Sequence, residues 1–164
     1  MYSFQASQFS IINTESFIPH EDQKKLYQLW VNKHLEGQAP SRQDFHPKEM
    51  INLLPKIMLI ELGHHGPNSI YCRLAGTAVT EIFQCEPTGQ NFLIAESQHD
   101  AQSDLIGTLS KGHAVMVENL SVKFQGRSFQ CTVFALPLFD KESGRFQMAL
   151  CHMDAYEVQK KYII

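Results

Sequence analysis

Three long runs of apolar or alternating residues near the end of the chain restrict its fold more than any other feature. They cover residues 115–124, 128–139 and 146–155. Alternation with a period of two is typical of β-strands. The runs are separated by the dipeptide Gln125-Gly126 and by the tetrapeptide 141–144, and loops of these lengths join antiparallel strands in hairpins. The sequence therefore predicts three long strands joined by two hairpins.

The two hairpin loops also predict which residues face each other across the strands. Residue 124 should pair with 127 in the first hairpin, and 140 with 145 in the second. One face of the sheet then collects Met116, Glu118, Leu120, Val122, Phe129, Cys131, Val133, Ala135, Met148, Leu150 and His152. The other face collects Val115, Val117, Asn119, Thr132, Phe134, Leu136, Ala149, Cys151 and Met153. Both faces are too apolar to remain in water, so we expect both to be covered.

Two further strands and a helix are predicted within residues 53–92. Residues 57–62 form an apolar run that is too short for an ordinary helix, and residues 69–74 alternate between apolar and polar side chains. A helix should begin directly after Gly76, with Thr77 as its cap.

An amphipathic helix is predicted over residues 21–35. Leu26, Leu29 and Trp30 recur on one side of it at helical spacing. This apolar stripe is the natural cover for the sheet face that carries Phe134, alone or together with a second subunit, and we expect both to contribute.

Two shorter helices are predicted over residues 47–54 and 98–109, because each stretch has apolar residues at helical spacing or a proline at its first position. The first 18 residues have no clear periodicity. No regular element is predicted there.

Length and charge limit the class of protein. A chain of 164 residues is long enough for one domain with a proper core. Its net charge of −3 and its lack of a basic run do not favour nucleic acid as a partner. No apolar run reaches the roughly 18 residues needed to span a membrane, and the first residues do not combine a basic segment with an apolar one, so neither membrane spanning nor export is expected. The four cysteines lack metal-type or disulfide spacing, which predicts reduced thiols in a cytoplasmic protein.

Two motifs lie in the central stretch, RLAGT at residues 73–77 and EIFQCEPTGQNF at residues 81–92. Together they resemble a bacterial branch of the PAS sensory domains whose members often stand alone. The resemblance implies an α+β fold: a PAS-like five-stranded antiparallel sheet with helices on one face and an N-terminal helix on the other. It divides the chain into an N-terminal segment with the amphipathic helix (1–40), a PAS-like domain (41–154) and a C-terminal tail (155–164).

A ligand pocket is predicted on the concave side of this sheet. In the predicted register, Glu118 and His152 lie in one row on either side of Val133, two strand spacings or roughly 10 Å apart. A small ligand between them could donate a hydrogen bond to Glu118 and accept one from His152. Alternatively, each side chain pairs with a polar group on a helix or with water. The predicted lining of the pocket is Phe92, Glu118, Cys131, Val133, Met148 and His152.

Arg73 and Thr77 belong to the motif that carries the resemblance, and both have structural interpretations. Arg73 could pair with a carboxylate, bind an anion, or fix the N-terminal helix or a partner. Thr77 is expected to cap a helix rather than to contact a ligand. The residues expected in structural or interface contacts are Leu26, Leu29, Trp30, Arg73, Thr77 and Phe134.

Neither a metal nor a known PAS cofactor is predicted. His99 and His113 flank the helix that supplies the axial ligand in haem-carrying PAS domains, but neither lies in a haem motif. Cys85 lacks the residues that surround the reactive cysteine of light-sensing flavin domains. Cys151 and His152 are adjacent on a strand and point to opposite faces, so they cannot form a catalytic pair. We therefore expect no catalytic residue and a non-enzymatic protein.

Two functions remain open. The first is a sensory module in bacterial signalling that binds a small apolar molecule and acts on a protein partner in trans. The second is a ligand-free module for protein–protein interaction or dimerisation, in which Phe92, Phe129 and Met148 fill the pocket. A homodimer is expected in either case. The ten residues after Asp154 are expected to be too few for an effector domain.

Overall fold

A computed structural model describes the backbone of residues 3–5, 8–63, 66, 69–94, 99–124 and 126–158. Side chains are described over the same ranges except at residues 3–5, 8, 92–94, 99 and 124. The side chain of Phe92, which was predicted to line the pocket, therefore lies outside the described part, as do residues 159–164 of the predicted tail.

Eight strands and three α-helices make up the described chain. The strands are β1 (Ser3–Gln5), β2 (Gln8–Ile12), β3 (Ile57–Leu62), β4 (Ser69–Ala75), β5 (Asn91–Ile94), β6 (Ala114–Phe124), β7 (Arg127–Phe139) and β8 (Phe146–Glu157). The helices are α1 (Glu21–Asn32), α2 (Thr77–Phe83) and α3 (His99–Ser110). All five predicted strands and three of the four predicted helices are confirmed. The predicted helix over residues 47–54 is wrong: short 3₁₀ turns form instead at Pro47–Met50 and Leu54–Lys56.

All eight strands belong to one sheet, in the order β1-β5-β4-β3-β8-β7-β6-β2. Its centre is the antiparallel set β4-β3-β8-β7-β6, which confirms the predicted five-stranded α+β architecture. The two predicted hairpins join β6 to β7 and β7 to β8. Gly126 and Gly144 in their loops have φ angles of 76° and 68°, which side-chain-bearing residues rarely adopt.

Two N-terminal strands complete the sheet, although no element was predicted there. Strand β2 pairs with residues 114–118 of β6, and β1 pairs with residues 121–123 of the same strand. Strand β1 also pairs in parallel with β5. It therefore joins the two edges that the other strands would leave open, and the sheet closes into a ring at this point.

Both faces of the sheet are covered, as the apolar pattern predicts. The concave core, on the side of α2 and α3, includes Met58, Cys72, Val79, Phe83, Leu109, Val115, Val117, Leu120, Val122, Phe129, Cys131, Val133, Ala135, Ala149, Cys151 and Met153. The outer core, on the side of α1, includes Leu26, Trp30, Met50, Ile57, Leu59, Met116, Phe134, Leu136, Leu138, Met148 and Leu150. Leu29 packs against the outer core while remaining partly exposed.

Two β-bulges correct the predicted register. Phe124 pairs with Arg127 as predicted, but the pairing shifts by one residue between Val117 and Leu120. Asn119 lies at this shift with a φ of 55°, a left-handed conformation that asparagine tolerates better than most residues. The second hairpin shifts between Leu138 and Phe139.

The shifts reverse the predicted faces of two segments. Val115 and Val117 of β6 enter the concave core, and so do Ala149, Cys151 and Met153 of β8. Met116, Met148 and Leu150 enter the outer core instead. The faces predicted for β7 and for the hairpin end of β6 are correct.

Candidate functional site

The predicted pair of Glu118 and His152 does not exist. Because of the bulge in the second hairpin, His152 pairs with Phe134 rather than with Val133, and its side chain lies on the outer face. Glu118 lies in the bulge of β6, where β7 supplies no directly paired residue, and it is exposed. The prediction that Glu118 and His152 form a hydrogen-bonding pair on the concave face is therefore wrong.

The remaining predicted pocket residues divide between the two cores. Cys131 and Val133 lie in the concave core, and Met148 lies in the outer core. The concave core thus keeps two of the predicted lining residues. It lacks Glu118 and His152, the two predicted hydrogen-bonding residues.

Three buried thiols give the concave core its mildly polar character. Burial raises the pKa of Cys72 and of Cys131 to about 12. Burial and the nearby Cys72 raise the pKa of Cys151 as well. These thiols stay protonated at neutral pH, and such groups are neither nucleophiles nor metal ligands. Within the described ranges, no group of three His, Cys, Asp or Glu side chains could hold a metal ion.

Gln102 is the polar group that distinguishes the concave side. It lies on α3 with 5% of its surface exposed, and neither its amide nitrogen nor its amide oxygen has a hydrogen-bond partner among the described residues. It shares the inward face of α3 with Leu105, Ile106 and Leu109. A buried amide without partners is costly, and such groups mark water sites, strain or ligand contacts.

Sequence reasoning missed Gln102, although a signal was present. It stands three, four and seven positions before the apolar residues of α3, so helical periodicity places it on their face. A glutamine in that position is expected to be buried together with them.

An aromatic pair and an arginine close one end of the concave core. The rings of Phe83 and Phe129 meet edge to face with centroids 4.8 Å apart. Arg127 lies over the Phe129 ring at 5.0 Å and forms two hydrogen bonds with Glu157, at 2.9 and 2.7 Å. Its guanidinium is therefore engaged in holding β7 to β8. These contacts shield the core from water at the hairpin end.

The motif residues of the central stretch have structural roles in this arrangement. Arg73 is exposed and lies 3.8 Å from the carboxylate of Glu61, which corresponds to the carboxylate-pairing alternative. The predicted cap at Thr77 is wrong: Gly76 occupies the cap position, no side chain caps the helix there, and Thr77 is the first helical residue. Thr88 instead accepts a hydrogen bond from the backbone N–H of Ala75.

The glycine of the RLAGT motif, Gly76, lies where neighbouring backbone leaves no room for a side chain. A Cβ atom at this position would lie 2.1 Å from the carbonyl oxygen of Leu54 and 2.4 Å from that of Pro55. Its backbone N–H donates to the carbonyl oxygen of Ile57 at 2.8 Å. The start of α2 is thus pressed against the 3₁₀ turn that precedes β3.

On the outer face, helix α1 lies over the sheet through the predicted apolar stripe. Leu26, Trp30 and Phe134 lie together in the outer core. The Trp30 indole donates a hydrogen bond to the backbone oxygen of Pro137 at 3.0 Å. Lys33 binds Glu49 at 2.6 Å and ties the end of the helix to the 3₁₀ turn at Pro47–Met50.

Comparisons with known proteins place this architecture in a family. A family model described as a PAS domain matches residues 18–153. The comparisons with curated proteins and with solved structures give no match. None of the described helices is both long and apolar enough to cross a membrane.

Proposed function

The chain belongs to the PAS domain family, and from this premise we propose that it is a sensory module that holds a small, largely apolar molecule in its concave core. Membership suggests a sensory or regulatory role, whereas the fold by itself names no ligand. We infer further that the protein is non-enzymatic, bacterial and cytoplasmic, and that it acts on a protein partner in trans.

The unpartnered amide of Gln102 carries the proposal of a ligand. It lies on the same face of α3 as Leu105, Ile106 and Leu109, which pack in the concave core, and a buried polar group without partners costs about 1–3 kcal/mol. A small molecule with one donor and one acceptor would satisfy both atoms of the amide, while its apolar body would contact the core. Binding sites of this kind combine an apolar lining with a few fixed polar groups.

The shared sheet supports transmission from the concave core to α1. Strand β8 alternates between the two cores, so Leu150 packs in the outer core and Cys151 in the concave core. A ligand that shifts β8 on one face must therefore change the packing of Leu26 and Trp30 on the other. A partner that contacts α1 would detect that change.

Native mass spectrometry of the purified chain tests the sensor. We expect additional mass on each subunit that is lost on denaturation. Gln102→Leu should abolish the additional mass, because leucine cannot form the hydrogen bonds. Gln90→Leu is the matched control, since the side chain of Gln90 is exposed. Wild-type subunits without additional mass, even after incubation with cell extract, would contradict the sensor.

The second candidate is a ligand-free interaction or dimerisation module, and two exposed apolar residues favour it. Leu35 and Ile51 are 73% and 65% exposed. The ion pair between Lys33 and Glu49 holds their two segments together. Leu35→Glu should then reduce a dimer to a monomer without changing ligand content. A monomeric wild type would contradict this second function.

A further inference from the structure

His152 is a buried titratable side chain beneath helix α1. Only 1% of its surface is exposed, and neither ring nitrogen has a hydrogen-bond partner within the described part of the chain. Its cross-strand neighbours are Ile57 of β3 and Phe134 of β7, both members of the outer core. The imidazole therefore lies in an apolar layer between the helix and the sheet.

Gln23 is a second polar group in the same layer. It lies in the first turn of α1, is fully buried, and both atoms of its amide lack partners among the described residues. Tyr27 follows one helical turn later, and its ring contacts Phe134 with centroids 6.1 Å apart. Because residues four apart share a helix face, Gln23 points toward the sheet as Tyr27 does. The start of α1 thus rests on two unsatisfied polar side chains.

Four charged or titratable groups surround His152. His20 precedes α1 and Asp22 lies in its first turn, Lys56 comes from the 3₁₀ turn before β3, and Asp154 follows on β8 itself. Burial has the largest effect and lowers the pKa of His152 below its ordinary value. Asp154 and Asp22 oppose this effect, whereas Lys56 and His20 reinforce it. Lys56 and Asp154 also form an ion pair with each other.

We propose that His152 is a proton-sensing site, and that uptake of a proton by its imidazole releases the start of helix α1 from the sheet. The docked state holds the imidazole neutral, so it binds fewer protons than a state in which the ring reaches water. Acid therefore shifts the equilibrium toward release, and neutral or alkaline pH toward docking.

The neighbouring carboxylates determine how the release occurs. A protonated ring has two donors and a charge, and in the docked arrangement neither ring nitrogen makes a hydrogen bond to a described residue. Asp22 and Asp154 are the acidic groups that favour the charged ring. Since Asp22 belongs to the first turn of α1, the ring gains this partner only when that turn moves. The same movement exposes the amide of Gln23 to water.

This site uses residues other than those of the proposed ligand site. Gln102 lies on the concave side, whereas His152 lies on the outer side. Loss of ligand binding would leave the proton response intact, and loss of the proton response would leave the ligand in place.

Trp30 allows a direct test, because it is the only tryptophan and its indole is hydrogen-bonded to the sheet. The His34 ring lies 4.4 Å from the Trp30 ring, and this contact would itself affect the fluorescence. The measurement is therefore made on His34→Gln protein. We expect a reversible shift of emission to longer wavelength as the pH falls below about 6.5, the ordinary histidine value, with the far-ultraviolet circular dichroism of the sheet retained.

Two variants assign the response to one residue. His152→Leu and His152→Gln should each abolish the shift, because neither side chain takes up a proton. His20→Ala is the matched control and should retain it, since His20 lies at the exposed end of the helix. Asp22→Asn should move the midpoint to lower pH by removing a carboxylate that favours the charged ring.

Two results would count against a proton response at His152. A shift that persists in both His152 variants, or that occurs only when the whole sheet unfolds, would overturn the proposal. Should both variants fail to fold, the histidine ring signals of the wild-type chain are followed by NMR. One ring must then titrate together with the amide signals of α1, and a ring that titrates without them overturns the coupling.

Discussion

The indole nitrogen of Trp30 donates a hydrogen bond to the backbone carbonyl oxygen of Pro137 across 3.0 Å. Pro137 lies in the part of β7 that still pairs with β8 but has passed the end of its pairing with β6 at Ala135. Helix α1 is thus fixed by one directed contact as well as by its apolar stripe. The contact specifies where along the sheet the helix rests, which apolar packing alone does less sharply.

Substitution of Trp30 should separate these two contributions. Trp30→Phe leaves the Pro137 oxygen without its donor and should lower the free energy of unfolding by about 1–3 kcal/mol. Trp30→Ala also leaves a cavity and should cost about 3–5 kcal/mol. Urea denaturation measures both. Val31→Ala is the control on the exposed side of the same helix and should stay within about 0.5 kcal/mol of the wild type. A Trp30→Phe cost equal to the control would contradict the role of the hydrogen bond.

Gly76 should tolerate no side chain. In Gly76→Ala, the new methyl group would overlap the carbonyl oxygens of Leu54 and Pro55, and both are backbone atoms that cannot rotate away. Overpacking of this kind costs about 1–3 kcal/mol or more. Thermal unfolding should therefore occur at lower temperature.

Gly107 provides the opposite control on α3. No heavy atom lies within 4 Å of the position that its Cβ would occupy, and its φ angle is helical in sign. Gly107→Ala should stabilise the protein by roughly 0.5–1 kcal/mol, because glycine weakens a helix interior. A Gly76→Ala variant as stable as Gly107→Ala would show that the 3₁₀ turn can move aside.

The pairing of the long strands was predictable close to the two tight hairpin loops. The hairpin ends have the predicted pairing, since Gly126 and Gly144 fix the loops. The two bulges were not predictable, because a bulge adds one residue without changing the apolar character of the strand. In β6 the only mark is the left-handed Asn119, and asparagine is also common in ordinary loops.

The candidate site shows the consequence of those two bulges. The register shift in β8 moves His152 from the concave to the outer face. The hypothesis of a ligand bound between Glu118 and His152 therefore fails. Gln102 has no such dependence, because helical periodicity tolerates an error of one residue better than strand alternation does. Strands β1 and β2 were not predicted, because their partners in β5 and β6 are distant in the chain and their own sequences are short.

Acid should weaken the attachment of the 3₁₀ turn at Arg42–Asp44 to the hairpin loop between β7 and β8. Asp44 accepts hydrogen bonds from the backbone N–H and the hydroxyl of Ser41, at 2.8 and 3.2 Å, and it binds Lys141 of the hairpin loop at 2.6 Å. Lys141 and Ser41 hold the pKa of Asp44 below its ordinary value. Because the folded chain favours the carboxylate, this stabilisation is present above about pH 3.9 and is lost as the pH falls further.

Two substitutions identify which partner of Asp44 matters. Asp44→Ala should cost about 1 kcal/mol at neutral pH, since it removes the cap on Ser41. Lys141→Ala should cost less, because Lys141 is about half exposed and surface ion pairs contribute little. The difference between Asp44→Ala and wild type should shrink in acid. An equal difference at all pH values would contradict the assignment.

Thiol labelling should distinguish Cys85 from the three cysteines of the concave core. Cys85 is partly exposed, whereas Cys72, Cys131 and Cys151 are buried. Burial and the neighbouring Glu86 raise the pKa of Cys85, so its reaction with a disulfide reagent such as DTNB should be slow at neutral pH and faster in alkali. One equivalent of thiol in the folded chain should therefore react with DTNB before any other thiol does. Cys85→Ser should show no reaction on that timescale. Simultaneous reaction of two or more thiols in the folded chain would mean that the concave core opens readily. In that case its neutral thiols could not serve as a fixed apolar lining for a ligand.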